Sequence, residues 1–584
     1  MTRTKAWGVA ALATGALFLC TLPVFAANEQ PQAILQHATR FAAGHVTQSF
    51  PTPVFGTHQA NPVHKIPKPY FQPTNDPVVQ HENLTPSGEF NAGLNILGVG
   101  NGFPGYSVPD APPDTTMAVG DTEVVQWVNV SYADFNKSTG AIIPLNGQES
   151  TQGNTIWANL LPGSLCANNN DGDIIVKFDR AAHRWIMAQN VFTSPYAVCV
   201  AVSQTATFSN NSWYAYEFPV VNNGFPDYPK WGVWSSGGQS DGYYQNWNNF
   251  GPGGSGFVGP VACGYDRAKM LVGDASAEQI CMQLSNDPGN NNLYQDSLLP
   301  ADRDSPVPPP ANEAEFFIGS VGDCLGAGCP SNPNTVLSVY SMAINDWSTG
   351  NITFTGNGDT QLVTIAAFTP SCDGNYGGDC VPQPNVGSGS DVDSLGDRLM
   401  YRFAYWEDQP PANATATPPI PAPVQHWYVN LDVWNSATSA IGVRWMEFTA
   451  NLKLVPVTSL AVFQQGTYVG TTGDSVYRWM GSLTRDNVDD VLLGYSESNT
   501  SVFPSIAVAG RKFTDTLGTL SPEVIAVNGT GSQVSTANRW GDYSTMAIDP
   551  SDNCTFWYTQ EYYMVTQQFD WSTNVSSWKF PNCH

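Results

Sequence analysis

From about residue 95 to the C-terminus, short apolar runs are separated by polar turns. The run TFWYTQEYY, Thr555–Tyr563, alternates aromatic with polar side chains, as a strand buried on one face does. Runs of this kind, bounded by Gly, Pro, Asn and Asp, recur down the chain, and the pattern predicts an all-β protein. Residues 27–94 differ. Prolines are frequent, periodicity is weak, and His37, His45, His58, His64 and His81 all fall there. This stretch reads as a leader or propeptide, with a metal-binding tract as the sharper alternative.

The apolar runs are grouped in a loose repeat. YRWMGSLTRDNVDDVLLGYSES (Tyr477–Ser498) and NRWGDYSTMAIDPSDNCTFWYTQEY (from Asn538) both open on Arg-Trp. Each then passes through an apolar strand to an Asp, turns, and enters a second strand. Comparable openings occur at Asp114, Asp173, Asp227 and Asp397, with a degenerate one at Glu315. The starts lie roughly 54 to 88 residues apart. That spacing holds four short strands plus loops, the layout of a propeller blade. The expectation is a single β-propeller over 95–584, built of seven four-stranded antiparallel sheets, with six or eight as alternatives. Pro-rich stretches near 305–312 and 409–424 read as loop insertions, not domain boundaries.

Composition narrows the partners. Charged residues make up 12% of the 584, about half the usual share of roughly 25%. The net charge is −26, which argues against nucleic acid, since phosphate contacts need clustered Lys and Arg. A neutral polysaccharide or glycan fits better, and the expected state is a monomer. Residues 1–26 read as a signal peptide: Arg3 and Lys5, an apolar run, then Val24-Phe25-Ala26. No later apolar run of about 20 residues is present, so no membrane span is expected. The predicted location is secreted, extracellular or periplasmic. Ten cysteines then remain: Cys166, Cys199, Cys263, Cys281, Cys324, Cys329, Cys372, Cys380, Cys554 and Cys583. An even number in an oxidising compartment points to disulfides, most simply paired in sequence order.

Several stretches together carry a resemblance. They are PPDTTMAVGD, GDIIVKFDRAAHRW, FPDYPKWGVW with GYYQNWNNF, LGDRLMYRFAY, YRWMGSL with LLGYSES, and RWGDYSTMAIDPSDNCTFWYTQEY. They resemble a family of uncharacterised secreted bacterial proteins with propeller-like sequences, over about residues 110–565. That resemblance implies the fold and no reaction. More distantly, the repeats resemble sialidase and other glycoside-hydrolase propellers, although no clean S-x-D-x-G-x-T-W repeat occurs.

Known catalytic motifs are missing. There is no G-x-S-x-G elbow, and GGSGF at Gly253–Phe257 fails the spacing. There is no H-E-x-x-H and no Walker A loop. No cofactor is expected. Calcium is the weaker alternative, at the oxygen-rich stretches Asn168–Asp179 and Asp391–Leu399, neither of which fits an EF-hand loop. His183 reads as a turn residue and His426 as a packed strand residue.

What is left is the set of residues at the repeat openings. In a propeller the first strand of each blade lies nearest the axis, so these residues converge on one channel. Asp114, Asp173, Asp227, Asp397 and Asp542 would form a partial carboxylate ring, the candidate catalytic set. Arg398, Arg478, Trp479, Arg539, Trp540 and Tyr543 would line it as binding residues. Crowded carboxylates push each other's pKa values apart, as acid/base chemistry requires. The bland reading stands beside this one: Asp at a strand opening caps turn amides, and Arg–Asp pairs staple sheets together. Two functions follow. One is a hydrolase acting on a neutral glycan through paired Asp residues. The other is a non-catalytic propeller that binds glycan or protein.

Overall fold

The computed structural model describes residues 32–48, 50, 59–60, 63–64, 66, 74–80, 90–284, 295–321, 333–355, 362–372, 378–396, 398–408, 424–450, 460–470, 473–534 and 538–584. The expected signal peptide, Cys324, Cys329, Asp397 and nearly all of the insertion at 409–424 lie outside these residues.

The described chain is all-β and dominated by antiparallel meanders. Sheet I opens with Thr116–Val119, sheet II with Ile175–Asp179 and sheet III with Phe225–Trp234. Sheet IV opens with Gln295–Arg303, V with Leu399–Glu407, VI with Tyr477–Arg485 and VII with Thr545–Ile548. Sheets IV and V share one hydrogen-bonded array, because their first strands pair in parallel at Ala301–Arg303 and Phe403–Tyr405. The first strands neighbour one another in chain order, and that of VII lies beside that of I.

Six of the seven repeat openings read from the sequence fall at or just before a first strand. The exception is Glu315, which starts the second strand of sheet IV (Glu315–Val321). The first strand there, QDSLLPADR, itself opens on an acid, Asp296, ahead of an apolar run, so the opening of this sheet lies upstream of the one read at Glu315.

The stretch 27–94 is woven into the sheets where it is described. Ile34–His37 pairs with Glu278–Cys281 at the edge of sheet III. Arg40–His45 pairs with Ser212–Glu217 at the edge of sheet II. Asn91–Leu97 pairs with the last strand, Trp571–Lys579, and becomes the fourth strand of sheet VII, which thus joins segments far apart in sequence. Edge strands bury only part of each face, which is why their periodicity is weak.

Burial between sheets holds the molecule together. Strands such as Val491–Ser498 are buried at every position, since both faces meet a neighbouring sheet. Trp127, Trp185, Trp247, Trp445 and Trp479 are among the fully buried side chains. Burying one indole removes roughly 200 Å² from water, worth about 5 kcal/mol before entropy is charged against it. Disulfides join Cys166–Cys199, Cys263–Cys281, Cys372–Cys380 and Cys554–Cys583, the pairing in sequence order. The last ties the C-terminus to sheet VII. Among the described residues, no helix is long and apolar enough to cross a membrane.

Candidate functional site

Several strand openings bring charge to one place. Asp114 and Asp173 precede the first strands of I and II, both with left-handed backbones (φ 49° and 48°). Asp and Asn are the side chains that tolerate this turn best, because they bond locally to the backbone. Both acids then fasten one sheet to another. Asp114 Oδ1 accepts the Asp542 amide at 2.6 Å, and its Oδ2 accepts Asn129 Nδ2 at 2.9 Å. Asp173 Oδ2 accepts the Tyr228 amide at 3.0 Å, while its own amide donates to Asn129 Oδ1. Arg539 donates to Asp542 at 2.5 Å and to Asp393 at 2.7 Å. Tyr228 donates to the Asp542 carbonyl, and Tyr543 to the Ile174 carbonyl.

Lys230, fully buried, stands over the rings of Tyr228 (3.3 Å) and Tyr543 (4.1 Å), and Arg398 lies 4.5 Å from the Tyr228 ring. Such cation–π contacts stabilise a buried cation that has little water. Burial lowers the Lys230 ammonium to about 8 even with Asp173, Asp542 and Asp114 around it. Burial raises Asp114 well above the ordinary carboxylate value; Asp542 and Asp173 add to this, and Arg539 opposes it. Burial likewise raises Asp173 to about 7, helped by Asp227 and Asp542. Asp393, raised by burial against the pull of Arg539, also lies at about 7.

Exposure separates these acids. Asp114 is buried, and Asp542 nearly so. Asp173 and Asp227 are part-exposed and stand at the rim of the cluster.

The remaining candidates lie elsewhere. Arg478 does not join the cluster; it is saturated by Asp474 (3.0 Å) and Glu523 (2.7 Å) and by the carbonyls of Val469 and Val476. Trp479 and Trp540 do not wall a pocket. They are fully buried, their rings 5.3 Å apart, and Trp540 Nε1 donates to Ser496. An Arg-Trp opening looks polar in sequence, but a residue there can turn into the seam between two sheets as easily as toward the first charged cluster. Among the described residues, no group of three His, Cys, Asp or Glu side chains could hold a metal ion.

A second charged cluster lies among the first strands of II, IV and V. Lys177 Nζ donates to Asp302 at 2.5 Å. Arg402 donates to Asp302 through Nε and to both oxygens of Asp304 at 2.6 Å. Thr484 Oγ1 donates to Asp304, and Asp302 Oδ1 accepts the Val233 amide. A cavity of about 40 Å³ lies against these groups, near the size of one water. Burial alone would raise Asp302, but Arg402 and Lys177 outweigh it and hold the carboxyl at about 2. Lys177, lowered by burial to about 8, lies 4.6 Å from the Tyr401 ring. Tyr401 in turn lies 6.0 Å from Tyr543, so the tyrosines bridge the two clusters.

Sequence reasoning missed Lys177, Tyr228, Lys230, Asp302, Asp393, Tyr401 and Arg402. Lys177, Asp302 and Arg402 look like ordinary outward polar residues of strands. Lys230 was in view, within FPDYPKWGVW: a lone Lys among aromatic residues was the signal.

No family model matches the chain, and no curated protein does. Among solved structures, one described as a glycoside hydrolase is 10% identical, covering 61% of this chain and 90% of its own, with a TM-score of 0.28. A phage phi92 endosialidase is 7% identical over 84% of this chain and 70% of its own (TM-score 0.34). An α-L-arabinofuranosidase from Fusarium graminearum is 9% identical over 73% of this chain and 99% of its own (TM-score 0.32). Likenesses this distant carry no argument about function, so the site is read from its own residues.

Proposed function

We propose that the chain forms one seven-bladed β-propeller and is a secreted hydrolase acting on a neutral glycan, with Asp173 and Asp227 as its working carboxyls. The ring order of the first strands supports the blade number. The observation that carries the activity is a pair of acids at part-exposed positions on the rim of an otherwise buried cluster, the Asp173 carboxyl being raised to about 7 by burial and by Asp227. Glycoside cleavage needs one carboxyl that keeps its proton near the working pH and a second group that is ionised. Asp173 would be the acid, and Asp227 the base or nucleophile. Asp114, Asp542 and Arg539 would support them, since their polar atoms already serve one another. Asp397 stays in the proposed ring on sequence grounds alone.

The test is hydrolysis of a panel of neutral aryl glycosides and oligosaccharides from pH 3 to 8. Asp173→Asn and Asp227→Asn should each lose about 10²–10⁴ in rate, the scale of acid/base roles, while the chain stays folded at the assay temperature. Full activity in both variants would overturn the assignment.

A second reading has its own support. A cavity of about 670 Å³ lies in the seam between sheets VII and I, against Asn91, Ser138, Thr555 and Trp557. That volume suits a small ligand without any catalysis. A chain that is retained on immobilised glycan but cleaves nothing would favour this binding role.

A further inference from the structure

The rim of the axial cluster takes one side chain from outside the repeated sheets. His64 belongs to the stretch 27–94, yet its Nδ1 lies 3.5 Å from Asp227 Oδ1. Its ring packs on Phe225 (4.7 Å between centroids) and Phe250 (5.3 Å), both in sheet III. On a further side is Gly254, with a left-handed backbone (φ 77°); a Cβ there would collide with Nε2 of the imidazole. The ring is therefore held against sheet III and directed at Asp227. Two residues on, Ile66 is buried in the core and anchors the stretch.

The flanks of this stretch are tied down as firmly. On one side, two strands complete the edges of sheets II and III. On the other, Asp76 meets the fully buried Arg444 at 2.6 Å and accepts from Thr467 Oγ1 at 2.6 Å. Taking the stretch away would leave a buried guanidinium without its carboxylate, a costly state. So His64 is a standing part of the rim, not the tip of a detachable leader.

We infer that His64 is a positioning residue of the axial site: its imidazole faces Asp227 at ion-pair distance and fixes how that carboxylate is presented beside Asp173. This rests on the proposed role of Asp173 and Asp227 in hydrolysis. The charged groups around the ring are those same two acids. The interaction with Asp227 raises the imidazole more than its partial burial lowers it, and Asp173 adds in the same direction. A neutral imidazole with the proton on Nδ1 can still face Asp227, though it holds the carboxylate more weakly than the charged ring does, so the role weakens but persists through neutral pH.

Two readouts test it on the full chain. In the first, the carbon-labelled His64 ring is followed by NMR through pH 5–9 and assigned with His64→Gln. It should titrate above the ordinary 6.5 and fall back toward that value in Asp227→Asn. In the second, kinetics use whichever aryl glycoside of the panel the wild-type chain cleaves best. His64→Ala should lower kcat about ten-fold, the scale seen when outer partners that orient a reacting group are removed. KM should stay the same. His64→Asn, whose Nδ2 takes the place of the imidazole Nδ1, should recover most of the rate. A His64 titration identical in wild type and Asp227→Asn, in a wild-type chain that hydrolyses the panel, overturns the inference alone. So does full activity in His64→Ala. A wild-type chain that cleaves nothing on the panel overturns the hydrolase reading and the positioning role with it.

Discussion

The two charged clusters on the first strands use the same side-chain types and reach opposite results. Around Asp302, two cations meet two carboxylates: Lys177 and Arg402 against Asp302 and Asp304, all buried. Among these four groups charge is balanced, and Asp302 is held at about 2. Around Asp114, the acids Asp114, Asp173, Asp227, Asp393 and Asp542 outnumber Lys230, Arg398 and Arg539, and Asp173 and Asp393 rise to about 7. The difference teaches that burial alone does not set a carboxyl's state. Compensation does, and the cluster left under-compensated is the one that reaches the surface, at Asp173 and Asp227.

The largest predicted effect breaks the balanced cluster. Arg402→Met leaves Asp302 and Asp304 buried without their shared cation and should cost about 3–5 kcal/mol. Calorimetry would read this as a large drop in melting temperature. A melting temperature within 1 °C of wild type, roughly the noise of a neutral surface change, would mean that the two clusters are not different in kind. At the under-compensated cluster, Asp114→Asn should cost only about 1–2 kcal/mol. One of its two accepted hydrogen bonds, from Asp542 or from Asn129, would then face an NH₂ group. Chemical denaturation would check that smaller figure.

The surplus of raised acids also fixes a pH dependence. Asp173, Asp393, Asp486 and Glu497 are all raised to about 7, chiefly by burial. Between about pH 8 and 5 the folded chain takes up protons that the unfolded chain, with ordinary carboxylates near 4, does not yet bind. Stability therefore rises as pH falls through that window. Asp302 and Asp408, both at about 2, act the other way, but only below about pH 4.

His426 adds to the rise. Its Nδ1 is 2.7 Å from Glu447 and its Nε2 3.4 Å from Asp408, and those two bonds raise it above 6.5 against the effect of burial. Its contribution is present below about 6.5 and lost as pH climbs through the raised value. The melting temperature should be higher at pH 5 than at pH 8, and the reverse order would contradict this. His426→Gln should narrow the gap, costing about 1–2 kcal/mol at pH 5 and less at pH 8.

Much of this contrast was legible in the sequence, and the illegible part has a physical reason. Asp114 and Asp173 could be read because the chain turns sharply before its first strand, through a left-handed residue that Asp tolerates, and Asp227 because it sits at the start of an apolar strand. Lys177, Asp302 and Arg402 could not be read. A strand buried on both faces still alternates, and a polar residue directed at another sheet looks like one directed at water. Arg478 and Arg539 share an opening motif yet part company, one to Glu523 and one to Asp393 and Asp542. Only the neighbouring sheet decides which way such a side chain turns. His64 was hidden for a different reason: it lies in a stretch whose strands are edges, with no periodicity to mark them.

The central claim is that the rim of the under-compensated cluster keeps a proton at neutral pH. The direct measurement is the titration of the Asp173 side-chain carbon by NMR in aspartate-labelled full-length protein, assigned by difference against Asp173→Asn. A midpoint near 7 is predicted. A midpoint near the ordinary carboxylate value of about 4 would contradict it and leave the two clusters with the same chemistry.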